Sequence, residues 1–505
     1  MPLFSSLYTW LSVKRMKQIE LMREYPFEFQ REVFFNLINK AEKTEFGKLY
    51  GFKEINNIAV FQHRVPVSTY DEISPYIKRV LAGEPNILWP GTTRWFAKSS
   101  GTTADKSKFI PVTEESLKEC HFRGGKDLLA IYLSHYPESR LLEGKSLSIG
   151  GSHQINEINN EAYYGDLSAV LIQNLPFWAE FKRTPSLKTA LMADWEEKME
   201  KIAHETIQDN VTSIAGVPSW TLVLMRRILE ITGKNNLLEV WPNMEVFFHG
   251  GVGFSPYRQQ FLKLFPSETM HYIETYNASE GFFALQDDLS KDELLLVMDY
   301  GIFYEFIPFD KYEQGKLDAL TIGEVEKDTN YVMVISTNGG LWRYIIGDTV
   351  KFTSLYPHKI KITGRTKHYI NVFGEELMIG NVEKSLKVAT EKTGSTIVDY
   401  TVAPVFMEDG KKGRHQWAIE FMTPPKNIEY FTDLLDNALK SVNSDYEAKR
   451  FKDLTLQKLK IDIVKSGTFY RWLQKKGKLG GQHKVPRLSN SREVIEDILE
   501  MSNKE

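Results

Sequence analysis

The chain has 505 residues, 42% hydrophobic and 26% charged, the make-up of a soluble globular protein with room for about three domains. Its 33 glycines and 20 prolines are too few for a collagen-like or low-complexity chain, and 63 basic against 66 acidic residues give a net charge of −3, which argues against a nucleic-acid binder resting on phosphate neutralisation. One cysteine, Cys120, allows no internal disulfide and no multi-cysteine zinc site, and suits a reducing cytoplasm.

The opening MPLFSSLYTWLSVKRMK places its basic cluster after the apolar stretch, the reverse of a secretory signal. The longest apolar run, Leu128 to Leu133, is far short of the roughly 18 residues that span a bilayer, so no membrane partner is expected. The first 50 or so residues have helical spacing, with Phe27, Phe29, Phe34, Phe35 and Leu37 crowded together. From Lys145 short β-rich runs alternate with helical stretches: SLSIG, SIAGV, MEVFFHGG and MHYIETY, with helices over 187–205 and 219–229. That alternation predicts a largely parallel, covered α/β sheet, which binds ligands beyond the carboxyl ends of its strands. Residues 294–363 are strand-dense (LLLVM, IFYEFIPF, ALTIGEV, YVMVIST, KIKIT) and read as a barrel-like subdomain or an antiparallel sheet attached to the α/β body. GRTKHYINVFGEE, from Gly364, is a junction. Beyond it, helices over 381–392 and 428–442 and strands over 398–406, 416–422 and 458–464 make a small α+β domain. The expected domains are therefore 1–365, large and mixed α/β, and 366–505, small, α+β and mobile.

Three short stretches carry possible chemistry. In KSSGTTADKSKFIPVT, Ser99, Ser100, Gly101, Thr102 and Thr103 bring hydroxyls and unhindered amides onto one loop, suited to polyphosphate oxygens, with Lys106 and Lys108 nearby. A plain turn explains the composition equally well, and GxxxxGK[ST] is missing. In ETYNASEG, Tyr276 offers a ring face for a purine, Asn277, Ala278 and Ser279 offer hydrogen-bonding groups, and Glu280 is a hard oxygen ligand for Mg²⁺; taken alone, a strand-end turn with a solvated glutamate is the simpler reading. In LWRYIIGDTVKF, Gly347 frees the backbone and Asp348 is placed to accept both ribose hydroxyls, against a simple Gly-Asp turn. His249, before Gly250 and Gly251, could line an adenine site or be a core histidine. Trp95, Phe96 and Trp220 fit an acyl pocket or plain core.

The SSGTT loop, Y-x-x-S-E strand end and Y-x-x-G-D turn, in this order, resemble the adenylate-forming superfamily. In detail the chain resembles the auxin-responsive Gretchen Hagen family of acyl acid–amido synthetases over essentially its whole length, including GGQHKVPRL from Gly480, and a bacterial member is expected. The resemblance implies a large N-terminal and a small mobile C-terminal domain, and two half-reactions: activation of a carboxylic acid with ATP and Mg²⁺, then transfer to an amino acid's amine. It implies Ser99–Thr103 as the phosphate loop, with Ser100 and Thr103 catalytic. Gly250, Gly251 and Tyr276–Glu280 would form the adenine- and Mg²⁺-facing strand ends, Asp348 the ribose holder, Arg365 its neighbour at the hinge, and Lys484 the lid lysine. Two departures stand out: Ile345 replaces the arginine of the plant Y-R-x-G-D pattern, and the phosphate loop continues ADKSK without a further glycine.

The expected protein is thus a cytoplasmic monomeric ligase whose partners are a small carboxylic acid and an amino acid. Arg123, Lys126, Arg226 and Arg227 are plausible holders of the amino acid's carboxylate. A coenzyme A ligase shares the first half-reaction; no cluster clearly marks the basic patch it would need, although KRFKDLTLQKLK (449–460) keeps that option open. A catalytically silent binder of nucleotide or carboxylate is the other alternative.

Overall fold

The structure, a computed structural model, describes residues 3–99, 108–149, 156–159, 162–192, 194–251, 254, 257–366, 369–370, 377–405, 413–443, 446–447, 450, 456–477, 484–489 and 491–504. The chain divides into a larger unit, 1–251 with 265–361, and a smaller one, 252–264 with 362–505.

The larger unit opens with helices Leu3–Glu24 and Pro26–Ala41. Pro26 sits in the first turn, where its missing N–H costs nothing. Val33, Phe34, Leu37, Ile38 and Ala41 recur at helical spacing and are buried as one face. Helix Tyr70–Leu81 is started by a capping box in which the Thr69 backbone N–H donates to Glu72 Oε2 at 2.6 Å.

Among the described residues the larger unit is built on an eleven-stranded sheet. One half is parallel: Lys145–Ser148, Val211–Gly216, Val246–Gly250 and His271–Ala278 lie side by side, with Gly216 opposite His249 and Gly250 opposite Thr275. Their carboxyl ends therefore form one edge, and helices Trp195–Ile207 and Pro218–Thr232 lie between successive strands in the chain. At Ala278 the chain turns back through Ser279 and Glu280 into Gly281–Leu285, and the sheet becomes antiparallel. Gly281–Leu285, Leu294–Leu296 and His358–Arg365 pair antiparallel, as do Ile302–Pro308, Asn330–Thr337 and Tyr344–Leu355. Of the two forms expected for the strand-dense region, the antiparallel sheet is found, continuous with the parallel half. ALTIGEV is not a strand: Leu320 makes an isolated bridge to Phe306, and Thr321 N and Oγ1 both donate to Glu324 Oε2 at 2.8 Å. That local side-chain closure competes with ladder pairing. A four-stranded sheet, in the order Lys108–Val112, Trp95–Ser99, Ala162–Gly165 and Asn156–Asn159, completes the unit's strands among the described residues.

In the smaller unit helices Ile379–Thr393 and Ile428–Val442 pack with strands Thr396–Val405, Arg414–Thr423 and Lys460–Val464. Val382, Leu386, Tyr400, Trp417, Ile419, Leu435 and Leu439 form its core. Helices Thr468–Lys475 and Glu493–Asn503, not anticipated from sequence, follow. Nor was the inclusion of 252–264, tied in by Gln260 Nε2, which donates to the Ile397 carbonyl at 2.6 Å. No helix among the described residues is long and apolar enough to cross a membrane.

Candidate active site

The carboxyl edge of the parallel strands gathers the second and third motifs. Tyr276 lies two residues before the end of the strand His271–Ala278 and is 5% exposed. Its ring packs against Phe283 with centroids 4.9 Å apart, and its Oη donates to Asp348 Oδ2 at 2.7 Å. Tyr276 thus keeps little ring area for a purine in this arrangement, and its hydroxyl orients the acid expected at the ribose.

Asp348 owes its position to an irregular strand. In Tyr344–Leu355, Ile345 pairs with Val334 and Thr349 with Val332, so the three residues between them face Met333 alone. Such a bulge re-aims side chains, and Gly347, at φ +91°, supplies the left-handed backbone it needs. Asp348 is 5% exposed.

Just upstream, Arg343 also has positive φ, 41°, rare for a residue with a side chain. It is held there by Glu305, which is fully buried: Arg343 Nε and Nη2 donate to the two carboxylate oxygens at 3.0 and 2.9 Å. Nη1 donates to the carbonyls of Gln62 and Val65, and Gln62 Nε2 donates to Glu305 Oε1. The third motif therefore begins from a fixed point. Sequence reasoning missed this pair, because nothing in GLWRY distinguishes Arg343 from a surface arginine.

The first motif reaches the same neighbourhood through its flank. Strands Trp95–Ser99 and Lys108–Val112 pair antiparallel up to Ser99 opposite Lys108. Lys108 Nζ lies 3.5 Å from Tyr344 Oη, its donor contact to the third motif, and 5.5 Å from the Tyr70 ring centroid. Ser100, Gly101, Thr102, Thr103 and Lys106 lie outside the described residues.

At the turn, Ser279 is 4% exposed and its Oγ has no hydrogen-bond partner among the described residues. A buried orphan hydroxyl costs about 1–3 kcal/mol, so a polar ligand at this edge would satisfy it. Glu280 beside it is part-exposed and Asn277 exposed. Gly250 ends its strand where an added Cβ would meet the Thr275 carbonyl oxygen at 2.5 Å, so only glycine fits there. Gly251 follows at φ +79°. The described residues contain no group of three or more His, Cys, Asp or Glu able to hold a metal ion. A lone carboxylate such as Glu280 matches Mg²⁺, which is commonly carried by phosphate oxygens, water and one or two carboxylates. The residues present fit both nucleotide and Mg²⁺.

Other expectations resolve plainly. His249 is buried, and Phe96 is core. Burial pushes the Cys120 thiol up to about 12, and its sulfur accepts from the Phe282 backbone at 3.1 Å, so it is structural. Arg227 is engaged by Glu200 and Glu230, and Arg123 Nη1 donates to the Asp299 carbonyl at 2.9 Å. Arg365, exposed at the end of His358–Arg365, and Lys484, also exposed, belong to the smaller unit.

Three domain models match along most of the chain and place it in a family. More particularly, the chain belongs to the GH3 family: that family's N-terminal domain matches residues 15–270, its central domain 295–365 and its C-terminal domain 380–493. The chain is 22% identical over 557 aligned residues to the Arabidopsis thaliana indole-3-acetic acid-amido synthetase GH3.3, covering 96% of this chain and 93% of that protein. It is 23% identical to the Arabidopsis 4-substituted benzoates-glutamate ligase GH3.12, covering 95% and 96%. The solved GH3.15 acyl acid amido synthetase superposes with a TM-score of 0.79 at 17% identity, covering 96% of this chain and 95% of that one.

Proposed function

We propose that this protein joins a small carboxylic acid to the amine of an amino acid through an acyl-adenylate made from ATP. The carrying observation is the convergence of the motifs at one edge: Tyr276 bonded to Asp348, Lys108 beside Tyr344, and the orphan Ser279 hydroxyl next to Glu280.

A carboxylate is a poor acyl donor because its leaving group would be oxide. Attack of one carboxylate oxygen on the α-phosphorus of ATP expels pyrophosphate and leaves a mixed anhydride, from which AMP departs as a stabilised anion. The amine nitrogen then attacks the acyl carbon, loses a proton and displaces AMP. Asp348, oriented by Tyr276, holds the ribose hydroxyls. Ser99 to Thr103, with Ser100 and Thr103 foremost, cradle the phosphates, and Gly250 and Gly251 let the adenine approach backbone. Glu280 would hold Mg²⁺, which when bound would supply charge neutralisation at the phosphates. Lys484 opposes the repulsion between the carboxylate and the α-phosphate where it peaks, with Arg365 at the junction.

The relatives' names support an amino acid acceptor. The alternative coenzyme A patch is weakened by its described cations, Lys449 and Lys452 lying outside the described residues: Arg450 is buried in a bidentate pair with Asp436, Lys458 pairs with Asp433 and Lys460 with Asp462. The lone thiol, buried and unpaired by disulfide, suits a reducing cytoplasm. The test is isotope exchange of pyrophosphate into ATP across a panel of carboxylic acids. Exchange that requires both an acid and Mg²⁺ supports the reading; a folded protein that exchanges with none is a silent binder.

A further inference from the structure

Lys484 stands at the entrance to a segment that is held unusually firmly within the smaller unit. Val485 and Leu488 are buried, while Lys484 itself is exposed. The Val402 backbone N–H donates to the Arg487 carbonyl at 2.9 Å, and the Ser489 N–H donates to the Val402 carbonyl at 3.1 Å. Thr401 Oγ1 donates to the Pro486 carbonyl at 2.6 Å. These bonds lay residues 486–489 parallel to the strand Thr396–Val405, with Val402 bridged to Leu488.

The side chain of Arg487 then fastens that segment from the other side. Its Nη1 donates to Asp399 Oδ1 and, at 3.2 Å, to the Tyr400 carbonyl. Its Nη2 donates to Tyr257 Oη at 2.5 Å, and the guanidinium carbon lies 4.5 Å from the centroid of the Tyr400 ring. Tyr257 belongs to the segment 252–264 that this unit recruits, and Gln260 ties the same segment to the same strand. One planar cation thus joins three pieces of chain, a task for which a fork of donors with a stacking face is suited and a lysine is not.

We propose that Arg487 is a positioning residue for Lys484: it locks residues 485–489 to the strand Thr396–Val405, so that the lysine is presented from a fixed backbone point for adenylation. The reasoning is geometric. A lysine side chain already has wide rotamer freedom, and a displacement of about 1 Å in a reacting assembly can cost roughly a hundredfold in rate. Loosening the backbone three residues away adds freedom where least can be tolerated. This inference rests on the reading of Lys484 as the lysine that serves adenylation.

The experiment compares Arg487→Met, Arg487→Lys, Tyr257→Phe, Lys484→Ala and the Arg487→Met/Lys484→Ala double variant in full-length protein. Pyrophosphate exchange reports adenylation, and a supplied acyl-adenylate with amino acid reports transfer. Arg487→Met should slow exchange about 10- to 100-fold, leave the KM for ATP within about threefold, and leave transfer unchanged. Arg487→Lys should recover only part of the loss, and Tyr257→Phe should show the same pattern at roughly two- to fivefold. On the Lys484→Ala background, Arg487→Met should cost nothing further, because the residue it positions is gone. Equal loss in both half-reactions, additive effects with Lys484→Ala, or an Arg487→Met protein as active as the parent would overturn the proposal. If Arg487→Met does not fold, Tyr257→Phe decides: loss in both half-reactions, or none, refutes it. A Lys484→Ala protein with undiminished exchange would instead overturn the reading beneath it, whatever Arg487 does.

Discussion

Tyr276 Oη donates to Asp348 Oδ2 across 2.7 Å, joining residues 72 positions apart, both almost wholly buried. A carboxylate so held presents a fixed orientation to whatever binds beyond the strand ends. Tyr276→Phe should therefore raise the KM for ATP about three- to tenfold, the scale of one hydrogen bond. Asp348→Ala should cost more, about 1.5–3 kcal/mol, and adding Tyr276→Phe to it should change little. Pyrophosphate-exchange kinetics at varied ATP measure all three.

Glu280 sits in a two-residue turn between paired strands, part-exposed, so its substitution should leave the fold intact. Glu280→Gln is expected to lower exchange at least about 100-fold while shifting Tm by no more than about 2 °C. Raising Mg²⁺ should recover part of the loss if the carboxylate's task is to hold the ion.

The Arg343–Glu305 pair is a different kind of site, because its purpose is to hold a strained backbone in place. Glu305→Ala leaves the Arg343 charge buried without its partner and should cost about 3–5 kcal/mol in chemical denaturation. Replacing both residues by methionine should cost less than that single change. An exposed, dispensable pair would show under 1 kcal/mol.

Burial raises the Glu383 carboxyl from its ordinary 4.5 to about 7, with Arg487 pulling it partly back. The sign follows from proton counting. Between pH 4.5 and 7 the folded state holds a proton that the unfolded chain has released, so this group's contribution to stability falls as pH rises through that window. Glu383→Gln should remove that slope. The variant should be more stable than the parent at pH 8 by about 1–2 kcal/mol, allowing for the residue's partial exposure, and no more stable at pH 4.5. Hydrogen exchange of the helix Ile379–Thr393 at both pH values reads the difference.

What the sequence made legible was local. Helix Ile428–Val442 is found at its expected ends because its apolar positions repeat at helical spacing and Asn427 caps it, accepting from the Tyr430 N–H at 3.1 Å. The parallel strands were legible as short apolar runs closed by glycine or polar residues, and the strand-end motifs by the glycines, hydroxyls and acids they concentrate. The joining of those motifs was not, since Tyr276 meets Asp348 only through the eleven-stranded sheet, and Lys108, on the four-stranded sheet, meets Tyr344 on the eleven-stranded one. The recruitment of 252–264 was equally hidden: Gln260 reaches Ile397 across 137 positions, and no local pattern encodes that. ALTIGEV misled because its β-branched residues suit a strand while Thr321 and Glu324 close a turn within it.

The most direct test supplies the full-length protein with ATP, Mg²⁺, the acid that best supports exchange, and an equimolar choice of coenzyme A and the twenty amino acids, then reads products by mass. The account predicts AMP and an amide whose mass is that of the acid plus one amino acid less water. A dominant acyl-coenzyme A product, or AMP formation with no amide, would contradict it.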